Sequence, residues 1–467
     1  MRMPLPLFRQ HLHDTIAAKK RQGHVVDGLV EKLNALPAGY DAFVAFADRL
    51  ADLPLRPDWP YREPNGLEEI WAECAPDRPG GPVGRLDPKD AARRAEAAFY
   101  GTVAGCILGK PLEVDPTLDE IRRAAEAVGE WPIHDYISER MLEALGRRHG
   151  SWTETTRGRI ADVAPDDDLN YRLLGLLVVE RHGPDFTKDH LRDLWLANLP
   201  VGMTFGPERT MLLRAGIQSF WNMPFEYGRE AGWLNPKDEF CGALIRVDTY
   251  GYACAGRPAL AAELAWRDAS WTHRRTGIYG AMFVAAAIAA AFTAQDPLAL
   301  FETALGFVPR RSRFHEIVAD SIQEVRRAGD WLDGYARIHN KYAEYTHCRV
   351  YQEVGTLINT VRFARDVGHG ISMQVAQGND TDCFGATAGS ILGAWFGPGH
   401  LEPRWLEPFN DRLRCALAQF HEQRLSAVAE RMARLPALAV RPLAEAKPGP
   451  DSPGPLAADD GLAPPKT

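Results

Sequence analysis

Apolar residues recur three and four positions apart along most of the chain, and few stretches alternate in the way that is typical of a half-buried strand. Residues 10–55 follow the helical spacing, and the same spacing continues from residue 88 to about 435. The longer helices predicted after residue 88 include 88–108, 166–182, 274–293, 382–396 and 408–435. The pattern therefore predicts an all-α protein.

Proline and glycine divide this helical pattern near residue 88. Residues 54–64 should be extended, because each proline disfavours helix at the residue before it. Four prolines and three glycines in 76–88 indicate a linker. We predict a helical N-terminal extension with its linker (1–88), a main domain (89–435) and a disordered proline-rich tail (436–467). The extension either packs over the main domain or mediates self-association.

One segment, 277–294, is close to the length that spans a bilayer, with 18 residues and no charged side chain. It is mostly alanine and glycine, which favours a buried central helix instead. A net charge of −8 without blocks of like charge argues against a nucleic-acid partner. Seven dispersed cysteines without a CxxC pair fit a reducing compartment, and the N-terminus lacks a signal-peptide core. We expect a cytoplasmic protein that binds neither membrane nor nucleic acid.

Two predicted helices carry glycine at every fourth position. The stripes consist of Gly101, Gly105 and Gly109 in the first helix and Gly385, Gly389, Gly393 and Gly397 in the second. Residues four apart lie on one face of a helix, and glycine has no side chain there, so another backbone can approach closely. The two helices are therefore expected to pack against each other and bring their ends together.

Acidic residues cluster at the predicted N-terminal ends of two helices. Asp380 and Asp382 begin one, and Asp166, Asp167 and Asp168 begin the other. Capping and the helix dipole explain one or two acids at such a position. Five carboxylates in one place repel one another unless a cation neutralises them, and oxygen ligands suit Mg²⁺ or Mn²⁺. We predict that the two clusters bind metal together.

Two further residues allow two interpretations each. Glu113 follows Pro111 just past the first glycine-striped helix, so it is either a solvated loop acid or a base held over the metal site. His273 precedes the alanine-rich helix, and a lone histidine of this kind is more often structural than catalytic.

Four motifs, in order, resemble those of the ADP-ribosylglycohydrolase family over roughly residues 93–400. Residues 101–113 resemble its Gly-x-x-x-Gly-Asp-x-x-Gly-x-x-x-Glu helix, and 166–168 resemble its Thr-Asp-Asp motif. Residues 242–246, with His273 further on, resemble its Gly-Ala-x-Met-Arg segment and later histidine. Residues 378–393 are similar to its Gly-Gly-Asp-Thr-Asp-Thr motif and glycine-striped helix, the most specific of the four.

The resemblance implies an orthogonal helical bundle with a binuclear Mg²⁺ site, in which Mn²⁺ sometimes replaces Mg²⁺. The positions that match the family's metal-binding carboxylates are Asp167, Asp168, Asp380 and Asp382. Glu113 matches a glutamate that some members place over the substrate ribose. The positions that match the lining of the ADP-ribose cleft are Gly242, Arg246 and His273.

Four positions depart from the family's motifs. Asp166 stands for the threonine ligand of Thr-Asp-Asp, and Cys383 stands for the last threonine of Asp-Thr-Asp-Thr. Cys106 replaces an aspartate, and Cys241 replaces the asparagine expected before Gly242. Asp166 and Cys383 thereby join the predicted ligand set, although sulfur is a soft ligand that weakens Mg²⁺ coordination. Such departures indicate a divergent bacterial branch.

The leading hypothesis is Mg²⁺-dependent hydrolysis of a glycosidic bond at C1 of a ribose, in a small-molecule or protein-linked ADP-ribosyl substrate. Glu113 or Asp167 would take the proton of the attacking water. The alternative is a metal-dependent ADP-ribose or nucleotide-binding protein without catalysis. A terpenoid or prenyl synthase is disfavoured, because neither acidic motif has the Asp-Asp-x-x-Asp spacing. The leaving group and the oligomeric state stay open.

Overall fold

The computed structural model of the chain describes residues 3–219, 221 and 223–439. The secondary structure of the described residues is helical, apart from one antiparallel hairpin of β1 (Arg412–Arg414) and β2 (Glu422–Arg424). The all-α prediction is thus confirmed. Most of the tail for which disorder was predicted, from residue 440 onwards, lies outside the described residues.

The helices follow one another with short connections. The N-terminal ones are α1 (Leu5–Arg21), α2 (Leu29–Ala35), α3 (Tyr40–Ala51) and α4 (Leu67–Glu73). The next are α5 (Pro88–Gly109), α6 (Leu118–Val128), α7 (Glu139–Leu145), α8 (Trp152–Thr155), α9 (Asp167–His182), α10 (Lys188–Asn198), α11 (Gly206–Ser219), α12 (Tyr227–Gly232) and α13 (Asp248–Ala253). The last are α14 (Pro258–Ala269), α15 (Thr276–Ala291), α16 (Pro297–Leu305), α17 (Arg313–Arg327), α18 (Trp331–Tyr342), α19 (Tyr351–Phe363), α20 (Val367–Ala376), α21 (Thr381–Phe396) and α22 (Leu425–Leu438).

Short 3₁₀ helices extend or connect several of these elements. They are Lys110–Leu112, Gly183–Asp185, Val201–Met203, Cys241–Arg246, Pro403–Trp405 and Glu407–Phe409. Lys110–Leu112 continues α5 directly, so the chain keeps turning until it reaches Glu113.

The N-terminal extension packs on the main domain. The apolar faces of α1 to α3 form a small core of their own, to which Leu234 of the main domain contributes. The Gln22 amide donates a hydrogen bond to Asp238 at 2.8 Å, and the Trp233 indole donates one to Asp48 at 2.8 Å. Packing over the main domain is one of the two roles that the sequence allowed, whereas self-association and the domain boundaries stay predictions.

Helix α15 corresponds to the alanine-rich segment 277–294, for which a buried central helix was predicted. Every residue from Thr276 to Ala291 is buried, and α13, α14 and α16 pack around it. Within the part of the chain that the structure describes, no helix has both the length and the apolar character needed to cross a membrane.

The prediction of a single helix over 408–435 is wrong in its first half. Asn410 and Asp411 have positive φ angles of 52° and 54°, which end the preceding 3₁₀ turn and start the β1–β2 hairpin. The backbone N–H of Val163 donates to Arg412, and the N–H of Arg414 donates back to Val163. The apolar spacing resembles a helix, but these tertiary hydrogen bonds to the segment before α9 stabilise a strand instead.

The two glycine-striped helices, α5 and α21, run antiparallel in backbone contact. Gly101 lies opposite Gly389, and Gly105 lies opposite Gly385. A Cβ atom added at any of these four glycines would lie less than 3.0 Å from a backbone atom of the other helix. This close packing confirms the interpretation of the stripes and brings the end of α5 to the beginning of α21.

We expect Gly105→Ala to destabilise the protein by about 3 kcal/mol or more, because overpacking here forces two backbones apart and no side chain can move aside. The measurement is denaturant unfolding followed by circular dichroism. The matched control is Gly228→Ala, also at a helical glycine, where an added Cβ meets no atom within 4 Å. The control should be neutral or stabilising by about 0.5–1 kcal/mol. Equal stability of the two variants would contradict the proposed role of the stripe.

Candidate active site

The candidate site forms where α5 ends and α9 and α21 begin. Asp166 caps α9, and its Oδ1 accepts a hydrogen bond from the backbone N–H of Asp168 at 2.9 Å. Asp380 precedes α21 but makes no such capping bond. Oxygen atoms of Asp168 and Asp382 lie within 4.8 Å of each other and of the Cys383 sulfur. The structure therefore brings together the two acidic clusters that the sequence predicted to meet.

A tight turn positions the cluster at α21. Gly378 and Asn379 both have positive φ, and a Cβ at Gly378 would collide with the backbone oxygen of Pro116. The backbone N–H of Asn379 donates to that same oxygen at 2.9 Å. The turn is thus held against the segment that follows Glu113, which keeps the Asp380 side chain near the end of α5.

Lys110 is a residue of the candidate site that sequence reasoning missed. Its ammonium lies 2.7 Å from Glu113, 2.7 Å from Asp166 and 2.8 Å from Asp382, measured to the nearest carboxylate oxygen. Burial alone would lower the pKa of Lys110, but these carboxylates raise it well above its usual range, so the ammonium stays charged. The only sequence signal was its place, between the last glycine of the stripe and Glu113.

The ammonium in turn keeps Asp382 ionised. Burial opposes ionisation of this carboxyl group, yet Lys110 lowers its pKa to about 2. A fixed positive charge therefore occupies the space between three carboxylates of the site. That position is where a divalent cation would otherwise be expected to balance them.

A second buried cation supports the other side of the site. Arg172 donates to Asp168 Oδ1 at 2.8 Å and to Asp248 Oδ2 at 2.8 Å. All three side chains are fully buried, so the pairing compensates for the loss of hydration. Arg172 holds Asp168 by one oxygen and leaves the other free.

Three carboxylate oxygens of the described site are buried and have neither a hydrogen-bond nor an ion-pair partner: Asp168 Oδ2, Asp380 Oδ1 and Asp382 Oδ1. A fourth, Asp166 Oδ2, also has no hydrogen bond but lies 2.7 Å from the Lys110 ammonium. Such atoms are rarely left unpaired in a protein interior. They are hard oxygen donors on the ends of two helices, and Mg²⁺ and Mn²⁺ prefer ligands of this kind. The residues present therefore fit a divalent cation, in addition to the ammonium of Lys110.

A cavity of about 470 Å³ opens onto the acidic cluster. Its lining includes Glu113, Asp167 and Asp380, and the aromatic side chains of Phe205 and Phe240. Burial raises the pKa of Glu113 to about 9 and the pKa of Asp167 to about 8. Both carboxyl groups thus reach the cavity with a raised pKa, in contrast to Asp382, which lies behind the lining.

The residues expected to bind substrate lie at different depths. Gly242 lines the cavity, whereas Arg246 and His273 are completely buried behind it. Arg246 donates to Glu208 at 2.6 Å and to Asp268 at 2.7 Å, and Glu208 itself lines the cavity. Arg246 is therefore placed to orient Glu208, and a direct contact of Arg246 or His273 with substrate stays a prediction.

The fold is thus all-α, and acidic helix ends surround its cavity. The family model for ADP-ribosylglycohydrolase matches residues 87–438, so the chain belongs to the ADP-ribosylglycohydrolases, a family of hydrolases that act on ADP-ribosyl compounds. This membership confirms the resemblance noted in the four sequence motifs.

The structure is also similar to a solved one described as an ADP-ribosylglycohydrolase-related protein complex. The two share 18% sequence identity, with a TM-score of 0.46, over 75% of this chain and 99% of the other. Among curated proteins, none matches this chain.

We expect Lys110→Met to make stability depend on divalent cations. Removing the ammonium leaves Glu113, Asp166 and Asp382 without their shared counter-charge, which should cost about 3–5 kcal/mol in chelator. Mg²⁺ should restore more stability to the variant than to the natural protein, since ligand binding stabilises the folded state. Denaturant unfolding with chelator and with Mg²⁺ measures both effects.

The matched control is Lys341→Met. Lys341 also contacts two carboxylates, Asp320 and Glu324, each at 2.8 Å, but its side chain is 42% exposed, against 9% for Lys110. Exposed pairs contribute about 1 kcal/mol or less, so this variant should change little and should not respond to Mg²⁺. A Lys110→Met protein that is fully stable in chelator would contradict the role assigned to the ammonium.

Proposed function

We propose that the protein hydrolyses the glycosidic bond at C1 of a ribose in an ADP-ribosyl compound, with the help of a bound divalent cation. The observation that carries the proposal is the set of three unpartnered carboxylate oxygens behind a cavity lined by Glu113 and Asp167. Family membership supports the reaction class.

The cation would be held by Asp168 and Asp382, which have oxygens within 4.8 Å of each other, and by Asp380, which has the third free oxygen. A hard ion such as Mg²⁺, or Mn²⁺ in its place, suits these ligands. When bound, it would supply Lewis acidity and a template that orients the ribose hydroxyls and a water molecule. Lys110 already neutralises Asp166 and one oxygen of Asp382, which favours one such ion in this protein over the family's two.

Glu113 and Asp167 are the side chains best placed to move a proton. Both line the cavity, whereas Asp168 and Asp382 are buried behind it. A general base must reach the attacking water directly or through one further water. The Lys110 ammonium donates to Glu113 at 2.7 Å, so it fixes the direction in which this carboxyl group faces the cavity.

Cleavage at C1 develops oxocarbenium character on the ribose, and nearby carboxylates stabilise that positive charge. Asp166 and Asp380 reach the cavity wall and can act in this way. Phe205 and Phe240 line the same cavity, and the Phe205 side chain is well exposed. A guanidinium group lies over each ring, that of Arg209 at 5.4 Å from Phe205 and that of Arg349 at 4.8 Å from Phe240. Aromatic side chains and guanidinium groups can stack on a nucleobase, which supports a nucleotide-containing substrate.

The second candidate function is metal-dependent binding of ADP-ribose or a related nucleotide without turnover. The observation that favours it is the thiol of Cys106, which lies within 4.8 Å of Asp166 and Asp168 where the family's motif has an aspartate. Burial raises the pKa of Cys106 well above its usual range, so this side chain stays a neutral thiol. Tight binding of ADP-ribose by calorimetry, without release from any substrate, would favour this candidate.

We expect Asp382→Asn to weaken Mg²⁺ binding by at least about tenfold and to abolish ADP-ribose release, because it removes a free oxygen and a charge. Release is measured on ADP-ribosylated proteins, free ADP-ribosyl metabolites and nucleosides, with Mg²⁺ and with Mn²⁺. The control is Asp366→Asn at the N-cap of α20, where asparagine caps as well as aspartate. Full metal affinity and activity in Asp382→Asn would refute the site.

We expect Glu113→Gln to lower kcat by about 10²–10⁴-fold while ADP-ribose and Mg²⁺ binding persist, since an amide can neither take up nor give up the proton that the reaction moves. Asp167→Asn, tested in parallel, identifies which of the two cavity carboxyl groups is the base. The control is Glu126→Gln, at an exposed residue of α6 paired with Arg122. If both Glu113→Gln and Asp167→Asn kept full kcat, neither residue would be the base.

A further inference from the structure

Three of the seven cysteines converge at the edge of the acidic cluster, although they are far apart in the chain. Cys241 begins the 3₁₀ turn Cys241–Arg246, Cys348 lies in the loop before α19, and Cys383 lies in the first turn of α21. The sequence had singled out Cys241 and Cys383 as departures from the family's motifs. It gave no sign of a part for Cys348.

Two of the three sulfur atoms contact the same carboxylate oxygen. The sulfur of Cys241 lies 3.3 Å from Asp380 Oδ2, and the sulfur of Cys348 lies 3.4 Å from the same oxygen. The Cys383 thiol lines the same cavity, and its sulfur lies within 4.8 Å of oxygens of Asp168 and Asp382. Such a set of soft donors around one oxygen is unlike the oxygen-only site that suits Mg²⁺.

We propose that Cys241, Cys348 and Asp380 form a binding site for one thiophilic divalent cation of the Zn²⁺ class. Two further side chains of the same cavity could supply a fourth ligand: the Cys383 thiol, and the His347 imidazole, which has a ring nitrogen within 4.8 Å of an Asp380 oxygen. This inference does not depend on the hydrolase activity proposed above.

The distances fit a tetrahedral ion. Zn–S bonds of about 2.3 Å and Zn–O bonds of about 2.0–2.2 Å imply sulfur-to-oxygen edges of about 3.5 Å. The two observed edges, at 3.3 and 3.4 Å, are within a few tenths of an ångström of that value. The ligand atoms of Cys241, Cys348 and Asp380 all lie within 4.8 Å of one another, so small rotations would close the site around an ion.

The backbone around Cys348 is fixed in a way that presents its sulfur. Cys348 and Val350 both have positive φ, an unfavourable conformation for residues other than glycine. The buried carboxylate of Glu353 holds it by accepting hydrogen bonds from the N–H groups of Cys348 and Val350, each at 2.8 Å. The Cys241 N–H also donates to the Cys348 carbonyl at 3.1 Å, which ties the two ligands together.

Asp380 connects this thiol cluster to the carboxylates. Its Oδ2 faces the thiols, whereas its Oδ1 is buried and unpartnered. Cys241, Cys348, Cys383 and Asp380 all line the 470 Å³ cavity. Three protein ligands beside an open cavity are typical of a zinc ion that also binds a water or a substrate. A cation here would therefore be accessible to a ligand in the cavity.

The test is a titration of the full-length, reduced and metal-stripped protein with Co²⁺ and then with Zn²⁺, in excess Mg²⁺. We expect one Zn²⁺ retained per chain, and with Co²⁺ the thiolate-to-cobalt charge-transfer absorption. Cys241→Ser and Cys348→Ser should each weaken Zn²⁺ binding by more than the roughly 10–100-fold that follows loss of a supporting residue. The control, Cys254→Ser, changes a buried thiol of the core away from the cluster and should bind Zn²⁺ normally.

A second measurement needs no variant, so it holds even if a serine variant folds poorly. Zn²⁺ should protect Cys241 and Cys348 of the natural protein from alkylation, read residue by residue by mass spectrometry. Absence of the cobalt absorption, equal Zn²⁺ affinity in Cys241→Ser and Cys254→Ser, or a Cys241–Cys348 disulfide in Zn²⁺-treated protein would each overturn the proposal. None of these readouts uses turnover, so a failure of the proposed hydrolase function is recognised separately, by the ADP-ribose release assay.

Discussion

The backbone contact between α5 and α21 is the constraint on which the site depends. Because Gly105 and Gly385 have no side chains, the two helices lie closer than ordinary helix packing permits, and they do so in antiparallel orientation. The end of α5 is therefore fixed against the beginning of α21, where the Thr381 hydroxyl donates to the Gly109 carbonyl at 2.8 Å. Lys110 and Asp382 become neighbours as a direct consequence.

The electrostatics of the site follow from that proximity. Carboxylates on the ends of α9 and α21 are buried together, which is unfavourable unless positive charge lies among them. The chain itself provides part of that charge, through Lys110 on one side and Arg172 on the other. Free oxygens of Asp168, Asp380 and Asp382 have no positively charged partner, and the other oxygen of Asp380 faces the thiols of Cys241 and Cys348. The cavity then gives a substrate access to this region.

Local patterns predicted the helices well where contacts within the helix dominate. The periodicity located α5, α9 and α21 to within a residue or so, and the glycine stripes indicated their close packing. The same reasoning failed between 408 and 424, where apolar spacing suited a helix but hydrogen bonds to Val163 stabilise a hairpin. Periodicity reports which faces are buried, and it does not report which backbone groups find partners elsewhere in the chain.

The sequence by itself determined the fold class, the family and the two acidic clusters, because each depends on residues that lie close together in the chain. Only the tertiary structure decided which groups face those acids. Lys110 and Asp382 are separated by 272 positions, and Cys241 meets Asp380 across 139. The tertiary structure also placed Arg246 behind the cavity, where it pairs with the buried carboxylates of Glu208 and Asp268. Contacts of this range leave no periodic trace, since they depend on how whole helices pack.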